Sequence, residues 1–255
     1  MMKKLMALVA PATLLAGGLV TAGYAASEPS HETSGQASRE IVEIKDARLK
    51  FEINATDSDG GVQLFLDAEQ WKRMSLYDST GRKIFTTVTK GIMAEQGGTE
   101  LFLESAEPSF DDLSLEELLE RWPAGSYDFR GRGLNGELYV GSAQLTHDLP
   151  AGPVLVSPIE GAAPQDPADT VVRWRRVPPP NGSPIIAYQV LVVASDTGIT
   201  ALPTVTLDVM MPPTANRLAV PGGFLQRDTE YEWEVLAIEH GGNQTLSSST
   251  FTTSD

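Results

Sequence analysis

The chain has no cysteine in 255 residues. No disulfide can staple it, no thiolate can act as nucleophile, and no lipid can be carried on a lipobox cysteine. Histidine is nearly as scarce: His31, His147 and His240 are the only three. A zinc centre usually needs three or four closely arranged nitrogen or sulfur ligands, and these scattered histidines make a poor case for one. Basic residues are few as well, 19 against 34 acidic ones, for a formal net charge of -15. Such a surface repels nucleic-acid phosphates and anionic lipid, so no nucleic-acid partner is expected. Acidity of this kind serves solvation first, and cation condensation or a basic partner second. A glycine-rich phosphate loop is also missing: Gly60-Gly61, Gly97-Gly98, Gly222-Gly223 and Gly241-Gly242 read as turn glycines.

What is present begins with a targeting pattern. Met1-Met2-Lys3-Lys4 is a short basic head, and Leu5 to Val20 is apolar or small throughout. Gly23 and Ala25 put small residues three and one before a cut after Ala25, the pattern of a secretory signal peptide over 1–25. The run falls short of the roughly 20 apolar residues a spanning helix needs, which disfavours the competing reading of an uncleaved anchor. No later stretch is apolar enough to span a membrane. Export to a bacterial periplasm or exterior is the expectation. Residues 26–39 are polar and aperiodic and read as a flexible leader.

Roughly 215 residues remain, more than one sandwich needs, so two domains are expected, 40–149 and 150–255. In the first, apolar residues alternate with polar ones at Leu49, Phe51 and Ile53, at Val62, Leu64 and Leu66, and at Met74 and Leu76. Tyr77 to Arg82 reads as a hairpin turn leading into Ile84–Val88, and further strands are expected around Leu101–Leu103, Tyr127–Phe129 and Leu138–Leu145. One segment breaks the pattern. Ser114 with Glu117 forms a capping-box signature, and Leu115, Leu118, Leu119 and Trp122 share a helical face, so a short core-facing helix is expected over 114–122.

Pro150 to Pro153 punctuates the chain at the expected boundary. Beyond it, Val154–Ser157 suits a first strand, and Val172 and Trp174 alternate with Arg173 and Arg175. Tyr188, Val190 and Val192 share a face, as do Tyr231, Trp233, Val235 and Ala237 opposite Glu232 and Glu234. A Tyr at the entry of that last run fits a tyrosine corner. Further strands are expected over Thr204–Val209, Arg217–Val220 and Ser249–Thr253. On Trp174, on Tyr188-x-Val190-x-Val192, on Leu225-x-x-x-Thr229-x-Tyr231 and on the Gly241-Gly242 turn, residues 153–254 resemble a fibronectin type III domain. Arg227 stands where that family usually has a proline. The chain as a whole resembles small exported bacterial proteins that carry this domain, and the first domain is loosely immunoglobulin-like. The resemblance implies an all-β chain of two tandem antiparallel β-sandwiches, and no activity.

Chemistry is sparse. Asp57 and Asp59, one residue apart before Gly60, form a weak candidate for calcium, with Asp67 or Glu69 as further ligands; turn shaping is the preferred reading. Glu104, Glu107, Asp111, Asp112, Glu116, Glu117 and Glu120 form an acidic group that a glycoside hydrolase would need across a cleft. Several belong to the first turn of the expected helix, where they offset its dipole. Ser142 lies near His147 and Ser247 near His240 in sequence, but neither serine sits in a nucleophile elbow. The expectation is therefore a non-enzymatic protein-binding or spacer module without cofactor, its partner protein unidentified. Pro178–Pro184 and 194–203 are its candidate contact loops. Glycan binding through Trp71 and Trp122 is one alternative, and a hydrolase using the acidic group or His147 is another.

Overall fold

A computed structural model describes residues 40–194 and 205–255. The signal segment, the leader and all but Ala194 of the 194–203 loop lie outside the described residues. In the first half the alternating runs become β1 (Ile41–Glu43), β2 (Asp46–Asn54), β3 (Asp59–Tyr77), β4 (Lys83–Val88), β5 (Gly98–Glu104), β6 (Gly125–Gly133) and β7 (Leu138–Leu145). Val62–Leu66 and Met74–Leu76, read as separate strands, belong to one strand of 19 residues. Its first part lies between β2 and β5, and its second between β4 and β6. The register shifts on either side of Trp71 are irregularities of the kind at which a long strand bends. Gly98 lies opposite Trp71, where an added Cβ would meet the indole at 2.8 Å. The layers close on Phe51, Leu66, Met74, Leu76, Tyr127, Phe129 and Leu145.

The helix forms as expected. α1 (Ile92–Gln96), which was not foreseen, follows β4 between Gly91 and Gly97, both at positive φ. α2 is Leu115–Arg121, with Ser114 as N-cap and Glu117 closing the capping box. Leu118 is buried in the first core, and Leu115, Leu119 and Trp122 pack against it.

The second half contributes β8 (Val154–Ser157), β9 (Val171–Arg175), β10 (Ile185–Ala194), β11 (Thr206–Met211), β12 (Arg217–Ala219), β13 (Glu230–Glu239) and β14 (Gln244–Thr252). A three-stranded sheet, β12-β9-β8, faces the run β14-β13-β10-β11. Between them lies a second core of Val172, Trp174, Tyr188, Val190, Tyr231, Trp233 and Phe251. The corner is formed: the Gln226 backbone N–H donates to the Tyr231 hydroxyl at 2.8 Å. This two-sheet order with its corner is a fibronectin type III-like sandwich, and the described residues are all-β apart from short helices. The two cores fall on either side of Pro150–Pro153.

Their junction is closer than a linker between sandwiches would make it. β14 starts five residues before the expected Ser249, and Gln244–Leu246 pair in parallel with Glu52–Asn54 of β2. One sheet of eleven strands therefore runs through both sandwiches. That pairing and β1 with β7 are parallel; the others are antiparallel.

Candidate functional site

The densest polar chemistry lies at this junction. Strand alternation brings Lys50 and Glu52 of β2, Gln63 of β3 and Glu104 of β5 beside Gln244 of β14. The Gln63 amide donates to Glu52 Oε2 at 2.8 Å and to Glu104 Oε1 at 3.0 Å. Gln244 donates to the same Glu52 oxygen and accepts from Lys50 Nζ at 2.7 Å. Burial lowers the Lys50 pKa, while Glu52 and Glu104 pull it back up. Glu107 completes the group: one oxygen each of Glu52, Glu104 and Glu107 lies within 4.8 Å of the others.

Three clustered carboxylates invite the question of a cation. Calcium takes roughly 6–8 oxygen ligands, more than these three supply. Glu52 is already the acceptor for two amides, and the Lys50 ammonium places a positive charge in the group. The arrangement suits a buried strand-to-strand tie better than a metal centre.

A second set of bonds closes the joint. Asn243 accepts from the Phe51 N–H at 3.0 Å and donates to Thr146 Oγ1 at 2.8 Å. Thr245 Oγ1 donates to the Pro150 carbonyl at 2.7 Å. Glu239, with no exposed surface, accepts from the N–H groups of Gly241 (2.6 Å) and Asn243 (2.9 Å) and from Ser183 Oγ (2.6 Å). Asn181 in the proline-rich loop donates to Asp148 at 3.0 Å. Thus Asn181 and Ser183 of the 178–184 contact candidate are bonded within the chain, to the inter-sandwich connector and to Glu239. Burial, and after it the Asp57 carboxylate, raises the Glu232 pKa on β13.

Asp57 lies in the β2–β3 connection, and Asp59 opens β3 opposite Asn54. Asp57 Oδ2 accepts from the Asn54 side chain at 3.0 Å, and Asn54 Oδ1 accepts from the N–H groups of Thr56 and Asp57. That is a side-chain-built turn. Asp67 and Glu69 cannot share its ion, because Asp67 stands roughly 26 Å further along β3 at about 3.3 Å per residue. The acidic group is divided. Glu104 and Glu107 belong to the junction, Glu117 to the helix cap, and Asp111, Asp112, Glu116 and Glu120 are exposed.

His147 Nε2 lies 2.9 Å from the Trp122 carbonyl oxygen. A carbonyl only accepts, so this nitrogen carries the proton and is not a free base. Ser142 and His240 are exposed, and Ser247 lies on β14. Trp71 is 4% exposed and offers no glycan platform. Trp122 stacks on Tyr127 with ring centroids 6.2 Å apart. Beside it Leu115, Leu119, Pro123 and Ala124, with Glu116, Glu120 and His147, line a shallow groove of about 530 Å³, which brings two carboxylates of the acidic group to the histidine. The junction residues Gln63, Asn243 and Gln244 escaped sequence reasoning. Their signal was a run of buried-strand length written in polar letters.

No protein-family model matches the chain, and no curated protein sequence matches it. Solved structures do. Fibronectin(III)-like modules of Clostridium thermocellum CbhA align at 9% identity over 83% of this chain and 93% of theirs, with a TM-score of 0.34. The FN1–FN3 domains of chicken CNTN1 align at 11% identity over 86% and 69%, TM-score 0.35. A 1.5-MDa bacterial ice-binding adhesin aligns at 15% identity over 85% and 66%, TM-score 0.27. The fold of the second sandwich rests on its own strand order and tyrosine corner rather than on these loose overlaps.

Proposed function

We propose that the chain is an exported, non-enzymatic protein-binding or spacer module of a bacterial envelope or exterior. The observation that carries this reading is the junction. A sheet continuous across two sandwiches, locked by Glu52, Gln63, Asn243 and Gln244, suits a stiff element that holds surfaces at a fixed separation. Chains that only need to be tethered use flexible linkers. The signal-peptide pattern supports export, and the hydrogen bonds of the junction carboxylates favour a structural role for them.

The lack of native cysteine makes the test direct. Spin labels on Ser126→Cys and Thr214→Cys, both exposed positions in different sandwiches, should give one narrow distance distribution. A broad distribution would sink the stiff-spacer reading. Cross-linked capture from native envelope and secreted fractions tests the binding half, and recovery of nothing above background would remove it.

A further inference from the structure

Residues 150–255 carry five basic residues, all arginine, and four of them gather in one place. Arg173 and Arg175 project from β9 on the side opposite the buried Val172 and Trp174. Arg217 of β12 is the direct cross-strand partner of Arg173, and Arg176 follows the end of β9. All four are exposed. Directly opposed like charges destabilise a sheet, and no ion pair to either arginine is found among the described residues. Basic residues of the first sandwich, by contrast, are paired: Lys45 with Glu69, Arg48 with Asp46, Arg82 with Asp78 and Arg130 with Asp128. In a chain of net charge -15, an uncompensated arginine face is the exception that calls for a ligand.

We propose that the outer face of the β12-β9-β8 sheet docks an extended acidic polypeptide segment with carboxylates at alternate positions. Arginine forks match carboxylates in a bidentate geometry, and one carboxylate between Arg173 and Arg217 relieves their mutual repulsion. Arg175 lies two residues further on, roughly 6.6 Å at about 3.3 Å per residue, which is the same-face repeat of an extended peptide. Val154, paired with Arg175, and Val156 are 56% and 46% exposed beside the arginines. That apolar ledge favours a polypeptide, which brings apolar side chains between its carboxylates, over a uniformly charged polysaccharide or nucleic acid. The inference rests on the protein-binding reading and names the chemistry of its partner.

The probe is a synthetic peptide of alternating glutamate and threonine, compared with an isomer that has its glutamates in one block. The alternating peptide should bind more tightly, in a salt-sensitive manner. Arg173→Ala with Arg217→Ala should weaken it at least about fivefold, the loss expected for two charge-assisted contacts. Arg130→Ala with Arg132→Ala, on the first sandwich, should leave it unchanged. Thermal melts of the exposed-residue variants establish that they fold. Equal binding of the two peptides, undiminished binding by the Arg173/Arg217 variant, or binding only of a sulfated polysaccharide would each overturn the proposal. If that variant still captures the partner recovered from native fractions, the arginine face fails while the binding reading stands.

Discussion

Two tryptophans in one core are held differently, and the difference is measurable. Trp233 Nε1 donates to the Pro158 carbonyl at 3.0 Å, whereas Trp174 Nε1 is buried without an acceptor. Trp233→Phe removes a bond and leaves the Pro158 carbonyl unpaired; Trp174→Phe removes a nitrogen that was already a burden. Urea melts should therefore show Trp233→Phe to be the worse by about 1–3 kcal/mol. Glu232 supplies a pH test. Its pKa is raised in the fold, so the protonated form stabilises the chain fully below the unfolded value of about 4.3, and this is lost as pH rises through the folded pKa. Glu232→Gln keeps a neutral group there, so it should melt above the wild type at neutral pH and lose that advantage in acid. Asp57 is engaged by its own turn, so melting temperatures in calcium and in chelator should coincide; a rise with calcium would revive the metal reading.

Among the elements, α2 was the most legible, because a capping box and a helical apolar face are local signals. Ser114→Ala removes the acceptor for the Glu117 N–H and should cost about 1 kcal/mol in thermal or urea unfolding. The strands built on alternating apolar residues were equally readable, as were the Tyr77–Arg82 turn and the tyrosine corner. What was hidden depends on distant partners. Asp67 to Arg73 reads as a polar break, yet β3 continues through it, paired on both sides at Asp67 and again at Trp71 and Arg73. Gln244 to Ser248 reads as loop because its side chains are polar, and β2 supplies their pairing. The same reasoning explains why the site was illegible. Glu52, Gln63 and Gln244 become a constellation only when strands separated by up to 192 residues meet.

At the scale of the whole molecule, stability and shape depend on one polar seam. Asn243 bonds to Phe51 and Thr146 of the first half, while its own N–H is held by Glu239. Asn243→Ala leaves a buried N–H and a hydroxyl without that partner, and should lower global stability by roughly 2–4 kcal/mol, with about 1–3 for each group stranded. Because it loosens the seam, it should also broaden the distance distribution between labels in the two sandwiches. A variant that melted lower but kept the narrow distribution would place its effect inside one sandwich only.

The parallel pairing of β2 with β14 also bears on the order in which the molecule can be completed. Glu52–Asn54 present bare backbone donors and acceptors until Gln244–Leu246 have been synthesised. A ribosome or an export channel delivers the chain from its N-terminus, so the first half emerges with an unfinished margin, the kind that invites pairing with a stranger. A chain ended after Leu149 should therefore self-associate more strongly than the 255-residue chain, and sedimentation velocity on the two would show it. The net negative charge opposes that pairing, so the self-association of the shortened chain should grow as salt screens it.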